Sequence, residues 1–248
     1  MAKVILITGG SRGIGAATAK LAAQNGYRVA VNYVAHKRRA EEVVDQVRSA
    51  GGDAITLQAD VSDEQQVMQM FSQLDEHFGT IDALVNNAGV LAPLSPVVNI
   101  DSQRIRRIFD VNVVGSFICA REAIRRMSTD HNGQGGSIIN LTSGAARLGA
   151  ANDYVDYAAS KAAIDTFTVG LAKEVATQGI RVNAVRAGFI KTEMHQSVGG
   201  RERFESLKHT IAMQRVGLPE EIAEAILWLL SDRSSYCTGT ILDVTGGR

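Results

Sequence analysis

Short apolar segments alternate with amphipathic segments along most of the chain. The first of them, residues 4–7, has no polar alternation, which is typical of a strand buried on both faces of a sheet. The predicted strands are residues 4–7, 29–31, 54–57, 81–85, 137–141, 180–185 and 240–242. Strands this short, separated by longer segments, favour a sheet with long connections over one built from hairpins.

The segments between these strands carry the apolar spacing of helices. Ala40, Val43 and Val47 fall at i, i+3 and i+7, and residues 67–78 repeat this spacing. Because strands alternate with helices, we expect parallel strands joined by right-handed crossovers. No repeat, low-complexity segment or linker interrupts the pattern, so it predicts a single α/β domain over residues 1–248.

Two of the predicted helices, at 105–120 and 158–176, are apolar nearly all round. A helix exposed on one side needs a polar stripe, so both are expected to be buried on two sides. One side would face the sheet and the other a second subunit. Pairing across two-fold axes would bury such surfaces, which predicts a homotetramer.

Composition and charge narrow the class of protein. The 26 basic residues balance the 26 acidic ones, so no electrostatic footprint for nucleic acid is present. The two cysteines and five histidines show neither a disulfide framework nor metal-ligand spacing, and we expect no metal. No apolar segment approaches the roughly 20 residues of a membrane span. We therefore expect a soluble cytoplasmic protein without a nucleic-acid or membrane partner.

A glycine-rich segment follows the first strand and leads into a helix. Its glycines, Gly9, Gly13 and Gly15, allow a sharp turn and a close approach of the backbone to a phosphate. The helix that follows would direct free N–H groups at that phosphate. No Gly-Lys-Ser/Thr follows, as a P-loop would require. The loop, with Ser11, Arg12 and Ile14 between its glycines, is expected to bind a dinucleotide.

The end of the second strand indicates which dinucleotide. NAD-specific sites usually place Asp or Glu there to bind the ribose hydroxyls. Here the strand ends in Asn32 and Tyr33, and the next carboxylate is Glu41. Arg12 in the glycine loop would pair with a 2′-phosphate. We expect NADP(H) to be preferred, with NAD(H) also possible, and we expect Asn32 and Tyr33 to contact it.

Candidate catalytic chemistry lies further along the chain. Tyr157 and Lys161 are four residues apart in a predicted helix and therefore share a face, and Ser143 lies just past a strand. Tyrosine could donate a proton to a developing alkoxide, with a lysine cation lowering its pKa and a serine stabilising the substrate oxygen. Tyr33 and Lys37 have the same spacing without a hydroxyl partner, so the spacing alone is a weak signal.

These residues, taken in order, form a specific set. The set is Thr8–Gly15, Asp60, Val61, Asn86, Asn87, Ala88, Gly89, Asn112, Ser143, Tyr157, Lys161, Gly246 and Gly247. With this set the chain resembles the classical short-chain dehydrogenase/reductase family over essentially its whole length. Among subfamilies it looks most like the 3-oxoacyl-carrier-protein reductases and the glucose 1-dehydrogenase-like oxidoreductases.

The resemblance implies a single-domain Rossmann fold, with a doubly wound seven-stranded parallel sheet and helices on both faces. It also implies that Asn112 holds a water in a proton relay and that residues 191–213 form a substrate lid. Its implied cofactor contacts are Asp60 and Val61 at the adenine, Asn87, Ala88 and Gly89 along the ribose side, Lys161 at the nicotinamide ribose, and Gly188, Ile190 and Thr192 near the carboxamide.

The expected function is hydride transfer between a nicotinamide and a carbonyl or secondary alcohol of a small substrate. The alternatives are a 3-oxoacyl-carrier-protein reductase and a non-catalytic NADP(H)-binding sensor. Carrier-protein reductases have basic docking residues, whereas here Gln178 and the glycine-rich segment 132–136 occupy those places. Ala187 stands where the family usually has proline, which favours a looser loop over the nicotinamide.

Overall fold

The computed structural model describes residues 2–196 and 207–248. Seven strands form one sheet in the order β3-β2-β1-β4-β5-β6-β7, and every pair is parallel. The strands are β1 (Val4–Ile7), β2 (Arg28–Tyr33), β3 (Ala54–Gln58), β4 (Ala83–Asn86), β5 (Gly136–Ser143), β6 (Ile180–Ala187) and β7 (Ile241–Val244). This arrangement confirms the predicted α/β fold.

Helices connect the strands and cover both faces of the sheet. In the described residues they are α1 (Gly13–Gln24), α2 (Lys37–Ser49), α3 (Glu64–Phe78), α4 (Ser102–Phe109), α5 (Gly115–Met127), α6 (Ala145–Leu148), α7 (Val155–Val175), α8 (Glu193–Gln196) and α9 (Pro219–Leu230). The chain winds outward from β1 to β3, returns past β1 to β4, and then continues to β7. This reversal puts α1, α2 and α9 on one face, and α3, α5 and α7 on the other.

Two apolar clusters, one on each face, hold these layers together. Alternate residues of β1 supply both, with Leu6 in the cluster under α3 and α5, and Ile7 in the cluster under α1 and α2. All four β1 side chains are fully buried. The unbroken apolar sequence of this strand therefore reflects burial on both faces.

The strands that bear the candidate chemistry extend further than the hydrophobic pattern predicted. Pairing between β5 and β6 continues to Ser143 and Ala187, two residues beyond the apolar segment of each strand. Ser143 is therefore the last residue of β5 and does not follow the strand. The predicted end was wrong because main-chain hydrogen bonds continue where the side chains become polar.

The helix predicted at 105–120 is three segments. A π-helical turn, Asp110–Val114, separates α4 from α5 and contains Asn112. The outer side of this region is exposed in the protomer, with Ile105, Val114 and Phe117 each more than 40% exposed. Within one protomer this region is therefore buried on the side that faces the sheet, but the second side that was expected to be buried is exposed.

Among residues 2–196 and 207–248, no helix has the length and apolar character needed to span a membrane. Within the same ranges, no group of His, Cys, Asp and Glu side chains is arranged to hold a metal ion. Part of the predicted lid, residues 197–206, lies outside the described residues.

Candidate active site at the carboxyl ends of the strands

A cleft runs across the carboxyl ends of the central strands. It encloses about 1450 Å³, its open mouth included. The predicted site residues that line it are Gly9, Ser11, Arg12, Gly13, Ile14, Tyr33, Asp60, Val61, Asn87, Ala88, Gly89, Ser143, Tyr157, Lys161, Gly188, Ile190 and Thr192. The fold thus gathers residues separated by about 180 positions of sequence into one continuous surface.

The glycine loop between β1 and α1 has a backbone that side chains would obstruct. Gly9 and Gly13 have φ values of 60° and 54°, in the left-handed region. A Cβ on Gly15 would lie 2.6 Å from the carbonyl oxygen of Gly9, so Gly15 permits the loop to close on itself and does not line the cleft. Asn87 Nδ2 holds the loop by donating to the carbonyl oxygens of Thr8 and Gly9 at 2.8 and 3.0 Å.

The first turn of α1 is open toward the cleft. Arg12 is the N-cap residue, and its side chain makes no capping hydrogen bond. The N–H groups at the start of a helix attract anions. The narrow glycine loop and the uncapped helix together fit the diphosphate of a dinucleotide.

Asn32 lies outside the cleft, although it was expected to contact the cofactor. Its side chain is buried, and Oδ1 accepts a hydrogen bond from the N–H of Gly9 at 3.1 Å. Its Nδ2 donates to the carbonyl oxygens of Leu57 and Ala59 at 3.3 and 3.0 Å. Asn32 therefore joins the glycine loop to the connection after β3, and Tyr33 is the strand-end residue that reaches the cleft.

At the far end of the cleft, Asp60 is held in its charged form. Although partial burial opposes ionisation, hydrogen bonds from Ser62 and from Arg107 keep the pKa of Asp60 below its ordinary value. The Ser62 hydroxyl donates to Oδ1 at 2.6 Å, and Arg107 Nη2 lies 3.2 Å from Oδ2. This carboxylate is neutralised by its own neighbours, so it does not project an unpaired negative charge into the cleft.

Two arginines and one carboxylate meet at the rim of the cleft. Glu193, the first residue of α8, pairs with Arg39 of α2 and lies 3.6 Å from Nη1 of Arg12. The hydrogen bond from Arg39, followed by the charges of both arginines, keeps the pKa of Glu193 below its ordinary value. Arg12 and Arg39 thus converge on one anionic group at this rim.

The candidate catalytic groups lie together at the end of β5 and the start of α7. Tyr157 and Ser143 line the same cleft, and Ser143 Oγ accepts from the N–H of Ala145 at 3.2 Å. Burial raises the pKa of Tyr157 to about 12, which outweighs the opposing effect of the Ser143 hydroxyl. The expected net lowering of this pKa by Lys161 is not present, because burial outweighs the effect of the Lys161 ammonium, which lies 5.7 Å from the tyrosine ring centre.

Lys161 points into the protein from the next turn of α7. Its Nζ donates to the carbonyl oxygen of Leu141 at 2.8 Å, and its side chain is almost fully buried. Burial lowers the pKa of Lys161 to about 8, while the negative charge of Asp165 opposes the shift. This ammonium is therefore much closer to neutrality near physiological pH than an exposed lysine would be.

Asn112 is buried beside this group without lining the cleft. Its Oδ1 accepts from the N–H of Val90 at 2.8 Å, and its Nδ2 donates to the Val90 carbonyl at 3.1 Å and to Ser160 Oγ at 3.1 Å. Its side chain thus ties the π-helical turn to α7 and to the segment after β4. The water-relay role implied for Asn112 stays a prediction.

The second Tyr-x-x-x-Lys pair is not assembled into a comparable site. Lys37 is exposed on α2 and pairs with Glu41 at 3.6 Å, whereas Tyr33 is buried at the cleft. The position of each pair relative to a helix and the cleft thus distinguishes the two Tyr-x-x-x-Lys pairs, which the spacing alone did not.

A second cavity adjoins Ser143. Its other lining residues are Gly144, Ala145, Leu148, Ala150, Asp153, Tyr154, Ala187, Gly188, Phe189, Thr245 and Arg248. A Cβ on Gly188 would lie 2.6 Å from Thr245 Cα, so the strand ends β6 and β7 approach closely here. The N–H of Gly188 donates to the Val244 carbonyl at 3.0 Å, which holds the main chain next to Ala187 in place.

Several residues that line the cofactor cleft could not be identified from the sequence. Val34, Ala35 and Met194 line the cleft, and Arg107 reaches it from α4. Arg39 could have been suspected from the Lys37-Arg38-Arg39 cluster, but only the fold shows which of the three turns toward the cleft.

Comparisons with known proteins agree with this geometry. A family model described as "Enoyl-(Acyl carrier protein) reductase" matches residues 9–248. The chain is 55% identical to the "Uncharacterized oxidoreductase YgfF" of Escherichia coli K12, over 99% of both chains. It is 40% identical to versicolorin reductase stcU of Emericella nidulans, over 99% of this chain and 95% of that one. It is 36% identical to the 3-oxoacyl-[acyl-carrier-protein] reductase FabG of Staphylococcus aureus, over 100% and 98%.

Solved structures give the same result. A short-chain dehydrogenase/reductase from Serratia marcescens superposes with a TM-score of 0.91 at 37% identity, covering 99% of this chain and 97% of that one. The similarity thus extends over the whole sheet and both helical layers.

Proposed function

Because the chain belongs to the short-chain dehydrogenase/reductase family, we propose that it reduces the carbonyl group of a small substrate, or oxidises the matching secondary alcohol, with a nicotinamide dinucleotide. The observation that carries this proposal is the gathering of Tyr157 and Ser143 in one cleft next to the buried Lys161. A non-catalytic sensor would have no use for this group.

The cleft fits the cofactor on the chain's own geometry. The glycine loop, which a Cβ would fill, and the uncapped first turn of α1 are suited to hold the diphosphate. Val61 and Tyr33 line the end where the adenosine would bind, and Ile190 and Thr192 line the other end. When bound there, the nicotinamide supplies or accepts the hydride.

The protein's own groups move and stabilise the proton. In reduction, the Tyr157 hydroxyl donates its proton to the substrate oxygen as the carbonyl carbon gains a hydride, which yields the alcohol. The Ser143 hydroxyl donates a hydrogen bond to the same oxygen and stabilises its developing negative charge. The Lys161 ammonium stabilises the resulting phenolate, which is then protonated from solvent; oxidation runs these steps in reverse.

NADP(H) is the preferred cofactor in this proposal. No carboxylate projects from the end of β2, and Asp60 is neutralised by Arg107. Arg12 and Arg39 converge on the Glu193 carboxylate at the rim, and a 2′-phosphate would take the place of that carboxylate. NAD(H) would enter the same cleft without using this pair of charges.

The proposed assembly is a homotetramer. The exposed apolar side chains of α4 and α5 lie beside the outer face of α7, where Phe117 stacks on Phe167 with ring centres 3.7 Å apart. Such a surface gains by association across a two-fold axis. The resemblance to an oligomeric family supports the same state.

A 3-oxoacyl-carrier-protein reductase is the second candidate, favoured by the FabG relative. The two candidates differ in whether the substrate must be carried by a protein. Turnover of an acyl-carrier thioester at least a hundredfold more efficient than turnover of small free carbonyls would favour this candidate over the first.

Tyr157→Phe tests the proposed function. Because the variant has no proton to donate, turnover of any carbonyl substrate should fall by at least about a hundredfold, the lower end of general acid contributions. Affinity for NADPH, measured by the enhancement of its fluorescence, should stay close to wild type. Tyr33→Phe is the matched control, since Tyr33 has the same spacing to a lysine, and it should stay active. Substantial turnover by Tyr157→Phe would refute the assignment of Tyr157 as proton donor.

A further inference from the structure

One arginine side chain in the cavity beside Ser143 has a hydrogen-bonding group without a partner. Arg248 lines this cavity, while Lys161 lines only the cofactor cleft. The Nη1 atom of Arg248 is buried and has no hydrogen-bond partner within the described residues. A guanidinium is always charged, so a buried N–H of this kind favours an acceptor oxygen, and an anionic one most of all.

The position of Arg248 is defined by its surroundings. Its guanidinium carbon lies 4.9 Å from the ring centre of Phe189, and its carbonyl oxygen accepts a hydrogen bond from Arg147 at 2.8 Å. Arg147 is itself paired with Asp243 of β7 at 3.1 Å. Phe189 therefore supports the Arg248 side chain and Arg147 holds the Arg248 main chain, while Nη1 stays unpaired.

The turn before Arg248 is equally constrained. Gly246 and Gly247 have φ values of 67° and 90°, where L side chains are strained. A Cβ on Gly247 would lie 2.7 Å from Cβ of Ala212, and the Gly246 carbonyl accepts from the N–H of Met213 at 3.0 Å. The two glycines thus turn the chain back over the cavity and bring Arg248 to its wall.

The remaining charges around the cavity do not satisfy Nη1. Asp153 also lines the cavity, but it is engaged in an interaction of its own and is not the partner of Nη1. Leu148, Tyr154 and Phe189 supply the apolar part of a lining of mixed polar and apolar surface. An anionic group entering from the substrate would find one cationic donor, Arg248, and because its Nη1 is buried, water screens the attraction only weakly.

On the premise of the proposed function, we propose that Arg248 binds a carboxylate of the substrate. The substrate class is then an oxo acid or the corresponding hydroxy acid. Its reacting oxygen lies at Ser143 and Tyr157, and its carboxylate lies at Nη1 of Arg248. Phe189 holds the guanidinium from one face and contacts the carbon chain between the two polar ends. Arg248 is a specificity-determining residue, and it takes no part in the proton transfer.

A matched pair of substrates tests this inference. A series of oxo acids that differ in the separation of ketone and carboxylate is compared with the methyl esters of the same acids, with NADPH as reductant. For the best acid, kcat/KM should exceed that of its ester at least tenfold in the wild type. In Arg248→Met, which keeps an apolar stem over Phe189, this preference should disappear while ester turnover stays within about twofold. Arg248→Lys should keep part of the preference, since it keeps the charge.

The controls separate this inference from the proposed function. Arg233→Met removes an exposed arginine elsewhere and should leave the preference unchanged. A second control uses the Tyr157→Phe variant with and without Arg248→Met. Adding Arg248→Met should raise the Kd of the best acid, measured in the presence of NADPH, at least tenfold. Equal turnover of acids and esters by the wild type would overturn the inference and leave the proposed function standing. Failure to reduce any carbonyl would overturn the proposed function, and the substrate assignment with it.

Discussion

At the scale of single residues, burial shifts the two titrating groups of the site in opposite directions. It raises the pKa of Tyr157 to about 12 and lowers the pKa of Lys161 to about 8. In each case burial favours the uncharged form. Tyr157 therefore keeps its proton throughout the neutral range, and Lys161 is the group that changes charge near the pH at which the protein would work.

The pH dependence of reduction should follow Lys161. The cationic form predominates below about pH 8, so kcat/KM should be flat there and fall about tenfold per pH unit above it. Asp165→Asn removes the charge that holds this pKa up, and the falling limb should move to lower pH. The measurement is kcat/KM for a neutral ketone between pH 6 and about 10, which reports the free enzyme. A limb that stays in place in Asp165→Asn would exclude Lys161 as its origin.

How far the sequence predicts the site depends on the kind of contact. Tyr157, Lys161 and Ser143 were identifiable because helix spacing and strand ends determine where they lie. The place of Asn32 was not, because its side chain could turn toward the cofactor or, as found, toward the Gly9 N–H and two main-chain carbonyls. Arg248 was not identifiable at all, since its contact with Phe189 depends on the turn at Gly246.

At the scale of elements, the glycine loop and α2 together form the rim of the cofactor cleft. Arg12 comes from the loop and Arg39 from the first turns of α2, whereas the neighbouring Arg38 points outward and pairs with Glu42. The two convergent arginines offer a charge-assisted site to a phosphate, and NAD(H) has no group that would use it.

Arg12→Ala tests the cofactor preference. The ratio of kcat/KM with NADPH to that with NADH should fall at least tenfold, about 1.4 kcal/mol, because a charge-assisted contact to the 2′-phosphate is lost. Arg38→Ala should leave the ratio unchanged, since its side chain is 91% exposed and directed away from the cleft. A wild type that already favours NADH, or a ratio that Arg12→Ala does not alter, would show that this rim does not select the cofactor.

The elements themselves were predicted well where one periodicity dominates. The bounds of β1, Val4–Ile7, agree with the predicted strand, because its apolar residues end where its pairing does. The π-helical turn at Asp110–Val114 was not predictable, because an apolar segment has no polar stripe to reveal a change in helical pitch. The ends of β5 and β6 were missed for a related reason, as main-chain pairing leaves no trace in residue type.

At the scale of the whole molecule, the outer face of α7 carries small side chains. Ala159, Thr166 and Gly170 are exposed at spacings of seven and four residues, so they lie on one face of the helix. A Cβ on Gly170 would meet nothing within 4 Å in the protomer. Small residues in such a row allow two helices to approach closely, as pairing of α7 across a two-fold axis requires.

Gly170→Arg should disrupt the assembly without harming the protomer. Arginine favours helix more than glycine does, and the protomer has open space at this position. Light scattering should give four times the 26.5 kDa protomer mass for the wild type and a smaller mass for the variant. Gly170→Ala adds only a methyl group and is the control expected to retain the tetramer. A wild type that is monomeric at micromolar concentration would refute the tetramer, and a tetrameric Gly170→Arg protein would place the interface elsewhere.

The position of β1 in the sheet also bears on how the chain is made. Of the seven strands, β1 is translated first, and it lies between β2 and β4, so one of its edges stays unpaired until residue 83 has been synthesised. At about 5–20 residues per second, the interval is on the order of 4–16 seconds. The glycine loop and the first three strands are complete in that time, well before β5 brings Ser143. A nascent chain would thus acquire the glycine loop of its dinucleotide cleft first, its proton donor later, and the segment that holds Arg248 after both.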